Sequence, residues 1–198
     1  MDSTTTESPL IKIIVGSVRP VRVGDQLAAA LVPPIAGAAQ ARVDIVDLAD
    51  VALPLLDEPK MPALGQYEKA HTLAWSEIVM DADAVIFLTP QYNGGYPASL
   101  KNAIDYLFHE WRDKPTFIIS YGGHGGGMSA AQLRSVLDFI RMDVVADSVE
   151  LTLPRDSYGA DGRLIDAQPI VAAHAGAVRA AASALGRGLR NRKDGVAA

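Results

Sequence analysis

Short, continuous apolar runs alternate along the chain with stretches whose apolar residues recur every third or fourth position. The runs at 10–15, 84–88 and 116–120 have the length of strands. Unbroken apolar character is what strands buried on both faces of a parallel sheet require. Weaker apolar patterns at 42–48 and 144–153 predict a second and a fifth strand in chain order.

Helical spacing predicts a helix after each strand. The first helix carries Leu27, Ala28 and Leu31 on one face, and it should end before the prolines at 33–34 or resume briefly to residue 41. The remaining predicted helices cover 67–80, 97–107, 133–140 and 165–185.

Strands that alternate with helices predict an α/β fold, because parallel strands need helical crossovers on both faces. We therefore predict a flavodoxin-like, doubly wound, five-stranded parallel sheet in three layers, with strand order 2-1-3-4-5. This order brings the loops after strands one and three to one crevice, where such sheets bind ligands. The glycine-rich loop after strand four should join them.

Length and composition predict one domain. The 198 residues are 49% hydrophobic with a mean hydropathy of +0.14, which suits a single core. We place the domain at 10–186, with flexible ends at 1–9 and 187–198. A long loop at 49–65, punctuated by prolines, should be functional or mobile.

Charge and cysteine content narrow the possible partners. A net charge of -5 and a pI near 5.3 argue against nucleic acid or an anionic membrane, because either needs a dense basic surface. The absence of cysteine excludes disulfides, thiolate metal sites and cysteine nucleophiles. No apolar run approaches a membrane span, and the polar start lacks a signal-peptide core. These features predict a cytoplasmic protein without a metal.

The first loop, at 16–24, combines groups that bind phosphate. Ser17 offers a hydroxyl, Arg19 and Arg22 offer guanidinium groups, and a helix N-terminus follows. Neither a Walker loop nor a G-x-G-x-x-G motif is present. The alternative is that Ser17 caps the helix and both arginines are solvated.

The second loop, at 89–96, carries neutral hydrogen-bonding side chains beside glycines. Gln91, Tyr92 and Asn93 would suit a heteroaromatic ring with polar edges. Asn93-Gly94 is equally a strong turn signal whatever the function. The third loop, after Ser120, is rich in glycine, which a simple connection rarely needs.

Three motifs give the chain a specific resemblance. Gly16-Ser17-x-Arg19 lies in the first loop, and the third loop contains Gly122-x-x-Gly125-Gly126. The longest motif is Pro90-x-Tyr92-Asn93-x-x-x-Pro97-x-x-Leu100-Lys101-Asn102-Ala103-Ile104-Asp105. In these motifs, the chain resembles the NADPH-dependent FMN reductase family of flavodoxin-like flavoproteins, which includes quinone, chromate and azo-dye reductases.

The resemblance implies an FMN site. The phosphate would lie at Ser17, Arg19 and Arg22, and the ribityl chain and ring would follow residues 90–93 toward Tyr121. Arg22, Gly24 and Gln91 stand where the family often has serine, asparagine and glutamate. The implied cofactor-binding residues are Ser17, Arg19, Arg22, Gly24, Pro90, Gln91, Tyr92, Asn93, Gly94, Tyr121, Gly122, Gly123 and Gly125.

The implied activity is a hydride transfer from NADPH or NADH to FMN, and then to a small-molecule acceptor such as free flavin or a quinone, in a ping-pong order. FMN would carry the chemistry, so no catalytic side chain is predicted. The resemblance also implies a homodimer or homotetramer. Trp111 and Arg112 are candidates for the core, for a pyridine nucleotide contact or for a contact with the partner subunit, and the resemblance favours the last. Two other hypotheses are a flavodoxin-type FMN electron carrier and an α/β interaction module without a cofactor.

Overall fold

A parallel sheet forms the centre of the molecule. The computed structural model describes residues 8–196, with side chains through residue 192, so most of the predicted flexible N-terminus lies outside the described residues. The strands are β1 Leu10–Val15, β2 Arg42–Asp47, β3 Ala84–Pro90, β4 Pro115–Gly122, β5 Asp143–Val144 and β6 Val149–Thr152. Their order is β2-β1-β3-β4, and both β5 and β6 pair with β4.

Helices cover both faces of the sheet. They are α1 Gly24–Ala39, α2 Leu48–Val51, α3 Ala70–Met80, α4 Ala98–Asp105, α5 Gly127–Phe139, α6 Gln168–Ala173 and α7 Ala175–Val196. Side chains alternate between the two cores: Ile11 and Ile13 of β1 pack with α1 and α7, whereas Ile14 packs with α3, α4 and α5. The predicted three-layer, flavodoxin-like arrangement and strand order are confirmed.

The predicted fifth strand is two short strands. β5 pairs with the start of β4 and β6 with its end. The Val145 N–H still donates to the Thr116 carbonyl at 3.0 Å, and residues 146–148 then leave the ladder. Asp147 and Ser148 in this interval are exposed, and burying them in a sheet core would cost free energy. A continuous strand over 144–153 is therefore wrong, although the edge position is correct.

Tertiary packing decides where two helices end, and α1 agrees with the second predicted alternative because it continues past the prolines to Ala39. α1 continues through Pro33 and Pro34 because Ile35 and Ala39 are buried in the core, which outweighs the lost helical hydrogen bonds. The last predicted helix is divided at His174, and its second part, α7, continues to Val196. Arg190 of α7 donates to the Ala39 carbonyl at 3.1 Å. The flexibility of 187–198 stays a prediction.

Trp111 lies in the core. Its side chain is fully buried, and its indole N–H donates to the Ile104 carbonyl at 3.0 Å. Its ring packs against Trp75 and Phe87, with centroid separations of 6.1 and 5.9 Å. The predicted contact with a partner subunit is therefore wrong, because the folded chain itself surrounds the ring and satisfies its donor.

The long loop at 49–65 is attached to α4. It contains α2 and a 3-10 turn at Pro62–Leu64. The Asn102 side-chain amide donates to the Pro54 carbonyl at 2.7 Å and accepts from the Leu56 N–H at 2.9 Å. Because a single side chain satisfies two backbone groups, it holds the loop against the helix that follows β3.

Candidate functional site

A cavity of about 270 Å³ opens at the carboxyl ends of β1, β3 and β4. This is the switch point of the sheet, where the sequence predicted the ligand. The cavity is lined by Ser17, Arg19, Val21, Arg22, Val23, Pro90, Gln91, Tyr92, Tyr121, Gly122, Tyr158 and Gly162. Five predicted site residues lie outside this wall: Gly24, Asn93, Gly94, Gly123 and Gly125.

Hydrogen bonds join the first two loops. The Gly16 N–H donates to the Leu88 carbonyl at 2.9 Å, and the Ser99 hydroxyl donates to the Gly16 carbonyl at 2.6 Å. Ser17 is buried, with its hydroxyl oxygen 2.6 Å from that of Tyr92. These bonds extend the β1–β3 contact into the loops, so both hydroxyls are held at the cavity.

The N-terminus of α1 has no side-chain cap. Val23 occupies the N-cap position, so the alternative role of Ser17 as a cap is not observed. The first-turn N–H groups and the helix dipole favour an anion at this end. Arg19 is exposed at the same cavity and forms no ion pair among the described side chains. Together they form a donor set that fits a phosphate group.

Arg22 has a partner that the sequence did not reveal. Its guanidinium forms an ion pair with Asp47, which the register of β1 and β2 places opposite Val15. Burial disfavours the charge, but the hydrogen bond to Asp47 and its negative charge outweigh it and raise the pKa of Arg22. The Nε atom is buried without a partner among the described residues. Arg22 lines the cavity, but Asp47 largely neutralises its charge.

Tyr121 packs against the N-terminus of α1 at the cavity. A Cβ atom added to Gly24 would lie 2.7 Å from the Tyr121 hydroxyl oxygen, so Gly24 allows this close approach. Burial raises the pKa of Tyr121, and the neighbouring Tyr92 adds to the shift. Tyr121 is therefore neutral at physiological pH and offers the cavity a hydroxyl rather than a phenolate.

Asn93 and Gly94 form a tight turn. Tyr92 and Gly95 exchange backbone hydrogen bonds of 2.8 and 3.0 Å across it. Asn93 and Gly94 have φ angles of 50° and 84°, the positive pair that a type I′ turn requires. The turn interpretation of Asn93-Gly94 therefore describes this structure, and Tyr92 and Gln91 remain as the cavity residues of the loop.

The second loop is also joined to α5. The Gln91 side-chain oxygen accepts from the N–H groups of Met128 and Ser129, at 3.1 and 3.3 Å. The Ser129 hydroxyl donates to the Pro90 carbonyl at 3.0 Å. Because these bonds connect consecutive loops of the crevice, the cavity wall from β3 to α5 is one hydrogen-bonded unit.

Tyr158 and Gly162 are cavity residues that sequence reasoning missed. They belong to the segment after β6, which is fastened to α1. Arg163 donates to the Asp25 carboxylate at 2.7 Å and to the Arg22 carbonyl at 3.0 Å. The rule that ligands bind at the carboxyl ends of strands would have included this segment, because it follows the predicted fifth strand.

Comparisons with known proteins agree on one family for this chain. The NADPH-dependent FMN reductase family matches residues 9–153. An NAD(P)H-dependent FMN reductase of Schizosaccharomyces pombe is 47% identical over 159 residues, which cover 75% of this chain and 76% of that protein. An NADPH:quinone oxidoreductase of Arabidopsis thaliana is 30% identical over 183 residues, covering 84% and 88%.

A solved structure supports the fold. The flavoenzyme NAD(P)H:(acceptor) oxidoreductase FerB of Paracoccus denitrificans superimposes with a TM-score of 0.65 at 24% identity, covering 90% of this chain and 98% of that one. The predictions of an oxidoreductase, of FMN and of NAD(P)H are confirmed. The chain therefore belongs to the NADPH-dependent FMN reductase family and is an NAD(P)H-dependent flavin oxidoreductase.

Proposed function

We propose that FMN occupies the cavity with its phosphate at the N-terminus of α1, next to Ser17 and Arg19. Its ring would extend along residues 90–92 toward Gly122, and the Tyr121 hydroxyl, which lies beside Gly24, would be at the phosphate end. The observation that carries this placement is the uncapped start of α1 beside the Arg19 guanidinium, which forms no ion pair among the described side chains, in one cavity with neutral donors. An anionic group would accept hydrogen bonds from the start of α1 and pair with the guanidinium. A ring with polar edges suits the neutral donors.

The side chains of the cavity bind and orient the reactants. FMN, when bound, supplies the two-electron chemistry that oxidises NAD(P)H and reduces an acceptor. Among the wall residues, Tyr121 is a neutral donor and Gly122 leaves open space beside the backbone. We infer a ping-pong order in which NAD(P)H and then a free flavin or quinone use the same open face. The quinone class is suggested by the Arabidopsis thaliana relative.

Titration of the apo-protein with FMN, followed by anaerobic NADPH, tests this function. We expect bound flavin spectra, loss of the oxidised absorbance on adding NADPH, and its recovery when a quinone is added afterwards. Recovery only while NADPH is still bound would contradict the ping-pong order. The absence of flavin binding would contradict the FMN site.

Arg19→Ala tests the phosphate end of the site. We expect weaker FMN binding by about 1.5–3 kcal/mol, the range for hydrogen bonds to a charged group. Fluorescence titration of apo-protein measures the affinity. Arg112→Ala, an exposed arginine outside the cavity wall, is the control and should bind FMN normally. Equal affinities for the two variants would remove Arg19 from the site.

We also propose that the protein is a homodimer or homotetramer. An apolar groove of about 580 Å³ lies between α4, α5 and the loop at 61–63. Phe139 and Met61 on its border are 82% and 67% exposed, and such large contiguous apolar surfaces are typical of interfaces. We propose that a second copy of this chain occupies the groove, in agreement with the oligomer that the family resemblance implies.

Phe139→Glu tests this interface. Light scattering should give a multiple of 21.0 kDa for the unaltered chain and a smaller multiple for the variant, because the charge would be buried on association. Met80→Glu changes an equally apolar exposed residue outside the groove and should leave the mass unchanged. A mass of 21.0 kDa for the unaltered chain at micromolar concentration would reject the oligomer.

We infer a cytoplasmic location from the chain's lack of cysteine, which fits a reducing compartment. In the part of the chain that the structure describes, no helix has the length and apolar character needed to cross a membrane. Fractionation of cells that express the full chain would test the compartment.

A further inference from the structure

Gln91 connects two parts of the cavity wall in a way that fixes the orientation of its side chain. Its oxygen accepts from two first-turn N–H groups of α5, those of Met128 and Ser129. The residue at the N-cap of this helix, Gly126, has no side chain to accept them. Gln91 therefore caps α5 from the neighbouring loop, and the N–H donors decide which end of its amide is oxygen.

The other end of the amide is left for the cavity. Gln91 is half-buried and belongs to the cavity wall, and no hydrogen bond from its NH₂ group is found among the described residues. Because oxygen and nitrogen occupy opposite corners of a planar amide, fixing the oxygen on α5 turns the nitrogen away from that helix. The nitrogen carries two N–H donors and no negative charge.

We propose that Gln91 presents this N–H donor to bound FMN and thereby raises the reduction potential of the flavin. The proposal rests on the FMN site described above. Reduction adds electron density to the flavin ring, and a neutral donor at the ring edge favours the reduced form. A glutamate at this position would cap α5 equally well but place a negative charge beside the ring.

Gln91→Glu and Gln91→Leu separate the two roles. Glutamate keeps both acceptor bonds, and a carboxylate is favoured at a helix N-terminus, so the melting temperature of the apo-protein should equal or exceed that of the unaltered chain. Leucine removes the cap and should lower the melting temperature of the apo-protein. The expected order of apo-protein stability is glutamate at least equal to glutamine, and both above leucine.

The midpoint potential of the FMN-loaded protein should follow a different order. Leucine removes the donor and glutamate adds a repelling charge, so we expect glutamine highest and glutamate lowest. Reduced FMN should lose at least tenfold in affinity relative to oxidised FMN in Gln91→Glu, which is a shift of about -30 mV for two electrons. Equilibration with redox dyes at neutral pH measures the potential without turnover.

Gln132→Glu is the matched control. Gln132 lies on α5 near Gly95 but outside the cavity wall, and the same substitution adds an equal charge to the helix that Gln91 caps. Its potential should stay near that of the unaltered protein. Equal shifts for the two glutamate variants, or potentials that follow the order of stability, would overturn the role of Gln91. Failure of the unaltered chain to bind FMN would overturn the site itself.

Discussion

Gly122→Val should weaken FMN binding while leaving the apo-protein folded. Gly122 is the last residue of β4 and part of the cavity wall. A Cβ atom built there has no other atom within 4 Å, and φ is not in the left-handed region. The valine side chain therefore fits the backbone but fills space that the flavin needs. Overpacking of this kind costs about 1–3 kcal/mol, so we expect FMN affinity to fall by about 5-fold to about 150-fold.

Gly123→Val is the control that distinguishes steric blocking of the FMN site from a general effect of valine on this loop. Gly123 is the next residue, it also has no atom within 4 Å of a built Cβ, and it lies outside the cavity wall. We expect normal FMN affinity for this variant. Thermal unfolding without FMN should be alike for both variants and the unaltered chain. If Gly122→Val binds FMN normally, the ring does not pass this end of β4.

Gly186→Ala should strongly destabilise the fold. Gly186 lies in α7 where this helix crosses the end of α1, and an added Cβ atom would lie 2.3 Å from the Ala39 carbonyl oxygen and 2.8 Å from its Cα. Both atoms belong to the backbone, so no side chain can rotate away. The helices must separate, and we expect a loss of about 3 kcal/mol in the free energy of unfolding, at the upper end for overpacked cores.

Gly188→Ala is the control for helix propensity. Gly188 lies in the same helix with no atom within 4 Å of a built Cβ. Alanine favours a helix over glycine by up to about 1 kcal/mol, so this variant should be slightly more stable than the unaltered chain. Urea denaturation of apo-protein measures both changes. Changes of the same sign would contradict the close packing of α1 and α7.

The sequence predicted the features that depend on local pattern. Ile11 and Phe87 lie in apolar runs whose burial follows from the composition of their strands, and the strand order then brought the loops of Ser17 and Gln91 together. The partner of Arg22 could not be predicted in this way. Asp47 ends a strand that looked ordinary, and only the register of β1 and β2 places its carboxylate beside the loop.

Other features depend on a competition between local sequence preferences and the burial of side chains in the core. Local rules end α1 at Pro33, but the burial of Ile35 and Ala39 prevails, and its magnitude is not visible in the sequence. Trp111 stands among charged neighbours and looked like a contact residue, although the chain folds around it. Tyr158 was missed because the segment that carries it has no motif of its own.

The attachment of the segment after β6 to α1 makes this segment a fixed part of the cavity wall. The family match ends at residue 153, yet Tyr158 and Gly162 beyond it form part of the cavity wall. Gln26 holds the segment through a reciprocal pair of bonds with the Leu164 backbone, at 2.8 and 3.0 Å. Changes at Tyr158 therefore act on the wall beside Arg19, because the two side chains are close enough for the positive charge of Arg19 to oppose the rise in the pKa of Tyr158. The cavities of related enzymes can differ at this wall while the part of the chain within the family match stays the same.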